Sequence, residues 1–119
     1  MMAKVLLVDD DRALQELIKM SLEVEGHEVT VASDGRLAIA EITATPFDLI
    51  ILDLVMPVMD GVCFIRWLRK EKGDETPVLI MSGAVKGGMV EQLKSSGATE
   101  VVCKPIDITT FLRRVNDLL

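Results

Sequence analysis

Five short apolar segments, spread over a chain of 119 residues, constrain the fold more than any other feature of this sequence. Each is a continuous run, and each is followed by a segment whose apolar residues recur at helical spacing. A continuous run predicts a strand that is buried on both faces, because a strand with one wet face alternates apolar and polar residues. The predicted strands are Val5–Val8, Val29–Ala32, Leu49–Leu52, Val78–Met81 and Val101–Cys103.

The segments between and after these runs have the spacing of amphipathic helices. The last helix is the clearest, with Asp107 at the N-cap position and Pro105 just before it. The residues predicted to face inward are Leu14, Leu17, Ile18 and Leu22 in the first helix; Leu37, Ala40 and Ile42 in the second; Val62, Ile65 and Leu68 in the third; Met89, Val90 and Leu93 in the fourth; and Ile108, Phe111, Leu112, Val115, Leu118 and Leu119 in the fifth.

This alternation predicts an α/β fold, in which a parallel sheet of five strands has helices on both faces and right-handed crossovers. In open sheets of this kind the binding crevice lies beyond the carboxyl ends of the strands. The sequence contains no repeat, low-complexity segment or linker that would divide it, so we expect one domain over residues 1–119.

Polar residues follow four of the five predicted strands. Asp9 and Asp10 follow the first strand, Asp53 the third, Ser82 the fourth and Lys104 the fifth. The second strand ends at Ala32–Ser33, and we expect it to lie outside the site. Because parallel strands end at the same edge, the sequence predicts that three carboxylates, one hydroxyl and one ammonium group meet there.

The adjacent carboxylates of Asp9 and Asp10 require an explanation, because two like charges about 4 Å apart cost roughly 4 kcal/mol at an effective dielectric constant of about 20. A hard cation between them and Asp53 would remove this cost. Mg²⁺ takes oxygen ligands and commonly binds one or two carboxylates together with phosphate oxygens. With no thiol or second histidine available, the sequence disfavours zinc and iron.

Helix capping is the alternative role for aspartates that follow strands. It is the preferred interpretation for Asp11, which lies next to Arg12 at the start of the first helix. For Asp9, Asp10 and Asp53 it explains only part of the pattern, because it gives no reason for a lysine to end another strand at the same edge.

A carboxylate can attack phosphorus and form an aspartyl phosphate, and Asp53 is the best placed to do so because the third strand is expected at the centre. The obstacle is the approach of one anion to another, which a bound cation offsets. Lys104 adds a point charge for phosphoryl oxygens, and Ser82 adds a hydroxyl donor. The single histidine, His27, precedes the second strand and is assigned to the surface.

Four segments at these strand ends, "LLVDD", "DLIILDLVMPVMDG", "VLIMSGA" and "VVCKP", occur in an order and spacing that resemble the receiver domains of bacterial two-component response regulators. The resemblance includes the chemotaxis response regulator and covers essentially the whole chain. It implies a flavodoxin-like (βα)5 fold with strand order 2-1-3-4-5. It also implies a cis peptide bond between Lys104 and Pro105, which the small cis penalty before proline permits.

The resemblance further implies a role for each residue of the site. Asp53 would accept a phosphoryl group from a histidine kinase or a histidine phosphotransfer protein, with Lys104 and Ser82 assisting. Mg²⁺, or Mn²⁺ as a substitute, would be held by Asp10, by Asp53, by the backbone carbonyl of Val55 and, through water, by Asp9.

A protein of this family would be a cytoplasmic signalling switch and not an enzyme, apart from promoting its own phosphorylation and dephosphorylation. Phosphorylation would change the surface formed by the fourth helix, fifth strand and fifth helix, and this surface would control an output domain or partner. A monomer or weak dimer is expected.

Three departures from the family pattern lead to further predictions. Val101 stands where the family usually has an aromatic residue, so we expect altered coupling to the switch hydroxyl; alternatively, valine simply extends a buried strand. Val55 and Ala84 are apolar and would not position an attacking water, so we expect a long-lived phosphoryl group. The glycine-rich "SGAVKGG" predicts a mobile loop and a loosely formed start of the fourth helix.

Composition excludes several other classes of protein. The net charge is −6 and no basic run is present, so direct binding of nucleic acid is not expected. Cys63 and Cys103 lie among apolar residues and are predicted to be buried thiols in a reducing cytosol. The apolar start is too short for a signal peptide, and no run approaches the length of about 20 residues that spans a bilayer.

Two alternative functions share parts of this chemistry. A small Mg²⁺-dependent phosphatase or phosphotransferase would need a second carboxylate near Asp53 and an insertion that covers the substrate, and the sequence offers neither. A degenerate receiver that serves only for docking is disfavoured because Asp9, Asp10, Asp53, Ser82 and Lys104 are all present.

Overall fold

The structure, a computed structural model, describes residues 2–54, 61–83 and 88–119. Strands and helices alternate along the chain, and the third helix continues into a turn of π-helix over Trp67–Glu71. The strands are β1 (Lys4–Val8), β2 (Glu28–Ala32), β3 (Leu49–Asp53), β4 (Val78–Ser82) and β5 (Glu100–Cys103), and the helices are α1 (Arg12–Val24), α2 (Gly35–Ala44), α3 (Gly61–Arg66), α4 (Met89–Ser95) and α5 (Ile108–Leu118).

All strand pairs are parallel and the order is β2-β1-β3-β4-β5, which confirms the predicted fold class. β3 lies at the centre, and β2 and β5 form the two edges. Every strand begins and ends within one residue of its predicted bounds. Asp53 and Ser82, expected just after their strands, are instead the last residues of β3 and β4.

Successive side chains of the sheet point to opposite faces, and each face has its own apolar core. Leu52 and Ile80 face the layer of α2, α3 and α4, whereas Ile51 and Leu79 face the layer of α1 and α5. Both faces are therefore buried, as the continuous apolar runs predicted. The helices contribute Ala38, Ile42, Phe64, Ile65 and Leu93 to the first core, and Ile18, Leu22, Phe111 and Val115 to the second.

Two predicted helix faces need correction. In α2 the buried residues are Gly35, Ala38 and Ile42, whereas Leu37 and Ala40 are exposed. The predicted set spans too wide an arc of the helix, and the pair four residues apart, Ala38 and Ile42, is the one that shares a face. In α1 the same correction applies to Leu17, which is 48 % exposed.

Aspartate side chains cap three of the helices. Asp11 accepts a hydrogen bond from the Leu14 backbone N–H, and Asp107 accepts one from Thr109, so both predicted caps are confirmed. Asp34 caps α2 in the same way. The carboxylate of Asp11 is thereby engaged in capping α1.

The prediction that Cys63 and Cys103 are buried is wrong, because both are exposed. Cys63 follows Val62 and precedes Phe64 in α3, but consecutive helical residues point about 100° apart, so apolar neighbours in sequence do not imply burial. Cys103 ends the edge strand β5, which has only one neighbouring strand.

Predictions that rest on Val55 and Ala84, and on most of the glycine-rich segment, fall outside the described residues. Within the described ranges, every helix is too short or too polar to cross a bilayer.

Candidate functional site

The carboxyl ends of β1 and β3 bring three aspartates together. Val8 pairs with Leu52 in the sheet, so Asp9 and Asp53, the next residues of each chain segment, lie side by side. One carboxylate oxygen from each of Asp9, Asp10 and Asp53 lies within 4.8 Å of the others. We call this group the three-carboxylate cluster. β2 contributes only a backbone carbonyl, that of Ala32, which accepts the Asp9 N–H at 3.1 Å.

Asp9 is the most constrained member of the cluster, with no exposed surface. Its Oδ1 accepts the backbone N–H of Asp11 at 2.9 Å. Its Oδ2 is buried, and within the part of the chain that the structure describes it has no hydrogen-bond partner. Burial, assisted by the charges of Asp53 and Asp10, raises the pKa of Asp9 to about 6 against the opposing effects of the Asp11 N–H and Lys104.

Lys104 reaches this cluster from β5, although β4 lies between β5 and β3. Its Nζ is 3.4 Å from Asp53 Oδ2 and 3.9 Å from Asp9 Oδ2. Its backbone N–H donates to the Ser82 carbonyl at 2.9 Å, which aligns the ends of β4 and β5. The peptide bond to Pro105 is cis, as the resemblance implied. The side chain of Lys104 is 27 % exposed, and its one positive charge offsets only part of the charge of three carboxylates.

Ser82 completes the edge between Asp53 and Lys104. It is the last residue of β4 and is 2 % exposed. Met81 pairs with Asp53 on one side, and Ser82 pairs with Cys103, the residue before Lys104, on the other. The structure therefore brings Asp9, Asp10, Asp53, Ser82 and Lys104 to one edge of the sheet, as the sequence predicted.

The donor set of this site fits a hard divalent cation. The buried Oδ2 of Asp9 needs a partner, and leaving a buried carboxylate oxygen unsatisfied is costly. All three side chains of the cluster offer oxygen, which suits Mg²⁺ and also Mn²⁺. The remaining predicted ligand, the carbonyl of Val55, lies outside the described residues.

Sequence reasoning missed two residues that shape this edge. The side-chain amide of Gln15 in α1 donates to the carbonyl of Asp9. Gly61, at the start of α3, donates its N–H to the Leu54 carbonyl at 2.8 Å, and a Cβ there would lie 2.9 Å from the Leu54 backbone. The glycine of "MDG" was a visible signal, but it indicated only a turn; nothing in the sequence pointed to Gln15.

Val101 is buried, at 8 % exposed, in the core beneath α2, α3 and α4. This position agrees with the simpler interpretation that valine extends a buried strand. The predicted change in coupling to Ser82 stays a prediction.

Comparison with known proteins places this site in a family. A model of the response regulator receiver domain matches residues 5–116. The response regulator MprA of Mycolicibacterium vanbaalenii is 35% identical over 121 aligned positions, which cover 100% of this chain and 51% of MprA. The DNA-binding dual master transcriptional regulator RpaA of Synechocystis is also 35% identical, over 99% of this chain and 49% of RpaA. The chain thus spans about half the length of these curated relatives.

A solved structure agrees over the whole length of both chains. The chemotaxis response regulator CheY4 of Vibrio cholerae superposes with a TM-score of 0.92 at 35% identity, covering 100% of each chain. The matched family, the sheet order and the acidic edge are consistent with one another, and receiver domains are signalling switches in which an aspartate is phosphorylated. The chain belongs to the response regulator receiver domain family.

Proposed function

We propose that this chain is a phosphorylation-dependent switch in which Asp53 accepts a phosphoryl group from the phosphohistidine of a histidine kinase or a histidine phosphotransfer protein. The observation that carries the proposal is the position of Asp53 beside the buried, under-bonded carboxylate of Asp9 and within 3.4 Å of the Lys104 ammonium group. With a divalent cation held by the three-carboxylate cluster, a carboxylate in this arrangement could meet an incoming anion without prohibitive repulsion.

The transfer is a displacement at phosphorus. A carboxylate oxygen of Asp53 forms a bond to phosphorus while the bond from phosphorus to the donor's imidazole nitrogen breaks, and the electron pair of that bond stays on the nitrogen. The product is an acyl phosphate on Asp53. The step needs no oxidant and no proton transfer from Asp53.

Lys104 and Ser82 bind the transferred group. The ammonium of Lys104, now paired with Asp53 and Asp9, would pair with a phosphoryl oxygen once Asp53 is phosphorylated. The hydroxyl of Ser82, one residue beyond the partner of Asp53 in β4, would donate to another phosphoryl oxygen. Charge-assisted hydrogen bonds of this kind are about twice as strong as neutral ones, which suits a switch.

Asp9 and Asp10 would hold Mg²⁺ together with Asp53 and, by resemblance, the carbonyl of Val55, with Asp9 acting through water. When bound, the ion supplies positive charge that neutralises the carboxylates and the developing charge on the phosphoryl oxygens. The protein's part is to keep these carboxylates oriented and close together. Mn²⁺ is a suitable substitute because it also prefers oxygen ligands.

The output is proposed to run through the surface of α4, β5 and α5, because Ser82 and Lys104 connect the site to the start of α4 and to β5. Residues 1–119 would then form one receiver unit in the cytoplasm, monomeric or weakly dimeric, without direct contact to nucleic acid. The partner is an output domain, as the length of MprA and RpaA suggests, or a separate protein, as the full-length match to CheY4 suggests.

The test is phosphorylation by acetyl phosphate with and without Mg²⁺, followed by intact mass. We expect a gain of about 80 Da on the wild type, only with Mg²⁺, and none on Asp53→Asn. Asp11→Asn is the matched control, because Asp11 caps α1 and asparagine also caps well. A gain on Asp53→Asn equal to that on the wild type, or no gain on any form, would contradict the proposal.

A further inference from the structure

Arg69, on the turn of π-helix that follows α3, makes a set of contacts that the site does not use. Its guanidinium donates to the carbonyl of Gly97 through Nε at 3.1 Å and through Nη2 at 2.9 Å. Its Nη1 donates to the carbonyls of Asp74 at 2.9 Å and Thr76 at 2.7 Å. One side chain thus joins the end of the third helix, the segment before β4 and the turn that follows α4.

Gly97 is shaped to receive this side chain. Its φ of +120° is a conformation that residues with a Cβ rarely adopt, and a Cβ there would lie 2.7 Å from Arg69 Cγ and 3.0 Å from Ile65 Cγ2. The backbone around it is fully bonded, because the Gly97 N–H donates to Lys94 and the Ala98 N–H donates to Leu93. Leu93 and Ala98 are also buried in the core. The C-terminal end of α4 is therefore fixed.

The other end of α4 is held differently. The residue before it, Gly88, has φ +83° and carries no side chain that could cap the helix. The first hydrogen bond of the helix, from the Gln92 N–H to the Gly88 carbonyl, is 3.3 Å long, against 3.0 Å for the bond from Ser96 to Gln92. Met89 and Val90 are only half-buried against the core.

An open cavity of about 800 Å³ runs along α4 on the side that faces α3. Its described walls include Val62 and Arg66 on α3, Met89 and Gln92 on α4, and Leu54, the residue after Asp53. Because this cavity is open to solvent, the seven-residue helix has room to move on the side that faces α3.

We propose that Arg69 and Gly97 form a fixed pivot for α4, about which the N-terminal end of the helix swings across the cavity toward α3. Arg69 is thus a positioning residue: it holds the C-terminal end in place, so that a displacement at the other end becomes a rotation of the helix and not a translation. This property belongs to the unphosphorylated fold and does not depend on Asp53 being the phosphoacceptor.

Amide hydrogen exchange of the unphosphorylated protein tests the pivot residue by residue. In the wild type we expect the amides of Gln92 and Leu93 to exchange about tenfold faster than those of Ser96 and Ala98, because the swinging end opens more often. Equal protection along 92–98 would overturn the proposal, and this measurement needs no variant.

Arg69→Met keeps the apolar stem and removes the guanidinium. We expect exchange at 96–98 to accelerate by about tenfold or more, which removes the gradient, while β3 amides are unchanged. Gly97→Ala should act in the same way by displacing Arg69, and Arg66→Met, on the cavity wall, is the matched control with no expected effect at 96–98. An unchanged gradient in Arg69→Met, or an acceleration shared equally by β3, would contradict a pivot.

Discussion

Among single residues, Asp9 shows that a carboxylate needed for the proposed site can lower the stability of the fold. Its carboxylate is fully buried, one of its oxygens has no hydrogen bond within the described ranges, and Asp53 and Asp10 repel its charge. Burial is the main reason that the pKa of Asp9 rises to about 6 from an ordinary value of 3.8. The charged form of Asp9 therefore costs folding free energy when no metal ion is bound, although Lys104 lies 3.9 Å from its Oδ2.

The substitution Asp9→Asn should stabilise the metal-free protein at neutral pH, by about 1–3 kcal/mol. Because the folded pKa lies above the unfolded one, the folded state takes up a proton as the pH falls. The penalty is thus fully present above about pH 6 and is lost as the pH falls toward 3.8. Urea unfolding, followed by the single tryptophan, Trp67, should show the variant's advantage above pH 6 and little of it near pH 4.

The matched control for Asp9→Asn is Asp11→Asn, which exchanges one good helix cap for another and should change stability by no more than about 0.5 kcal/mol. A destabilised Asp9→Asn protein at neutral pH would mean that the buried carboxylate is satisfied in the absence of metal, contrary to the geometry.

Gly61 tests the packing behind Asp53. Gly61→Ala should cost about 1–3 kcal/mol, because the added Cβ would meet the Leu54 backbone at 2.9 Å and neither backbone can yield easily. Gly83→Ala is the control, since its Cβ would find only ordinary contact with Lys104 Cβ at 3.7 Å. Equal unfolding free energies for the two variants would refute this account of Gly61.

At the scale of elements, the sequence predicted strands better than helix faces. A buried strand such as Leu49–Asp53 is apolar on both sides, so its position follows from composition alone. A helix face depends on where the helix axis lies over the sheet, which is why Ala38 and not Leu37 faces inward. The contact of Arg69 with the Gly97 carbonyl, 28 residues away, depends on the tertiary fold, so no local pattern predicts it.

In the site, too, local sequence predicts the strand ends but not the contacts that depend on how the helices pack. The ends of the strands could be predicted, and with them Asp9, Asp53, Ser82 and Lys104. The contact of Gln15 with the Asp9 carbonyl could not be predicted, because it depends on how α1 is seated on the sheet.

The α5 helix gives a prediction at this scale, since its amphipathic pattern is borne out by burial. Phe111→Ala should cost about 3–5 kcal/mol, because Phe111 is fully buried in the core shared with α1. Thr109→Ala, on the exposed side of the same helix, should change stability by about 0.5 kcal/mol or less, as its backbone N–H still donates to Asp107. Urea unfolding of both variants measures the difference. A loss below about 1 kcal/mol for Phe111→Ala would show that α5 is not a structural part of this core.

For the whole molecule, we expect divalent cations to affect stability, because the net charge is −6 and three carboxylates lie close together. A ligand that binds only the folded state stabilises it in proportion to the logarithm of its concentration. Protons compete for the same carboxylates, and the pKa of Asp9 at about 6 sets where that competition begins. Stabilisation by Mg²⁺ should therefore weaken as the pH falls. In the metal-free protein the effect is the opposite, because protonation of Asp9 at low pH removes a destabilising charge.

We expect MgCl₂ well above its dissociation constant to raise the unfolding free energy by about 1–3 kcal/mol above pH 7 and by much less near pH 5. NaCl at matched ionic strength separates specific binding from general screening of the acidic surface, which falls off over about 10 Å at 0.1 M salt. Asp9→Asn should lose most of the Mg²⁺ effect, whereas Asp11→Asn should keep it, because Asp11 is engaged at the start of α1. An equal gain from MgCl₂ and from matched NaCl, or a gain that persists at pH 5, would place the cation elsewhere than beside Asp9.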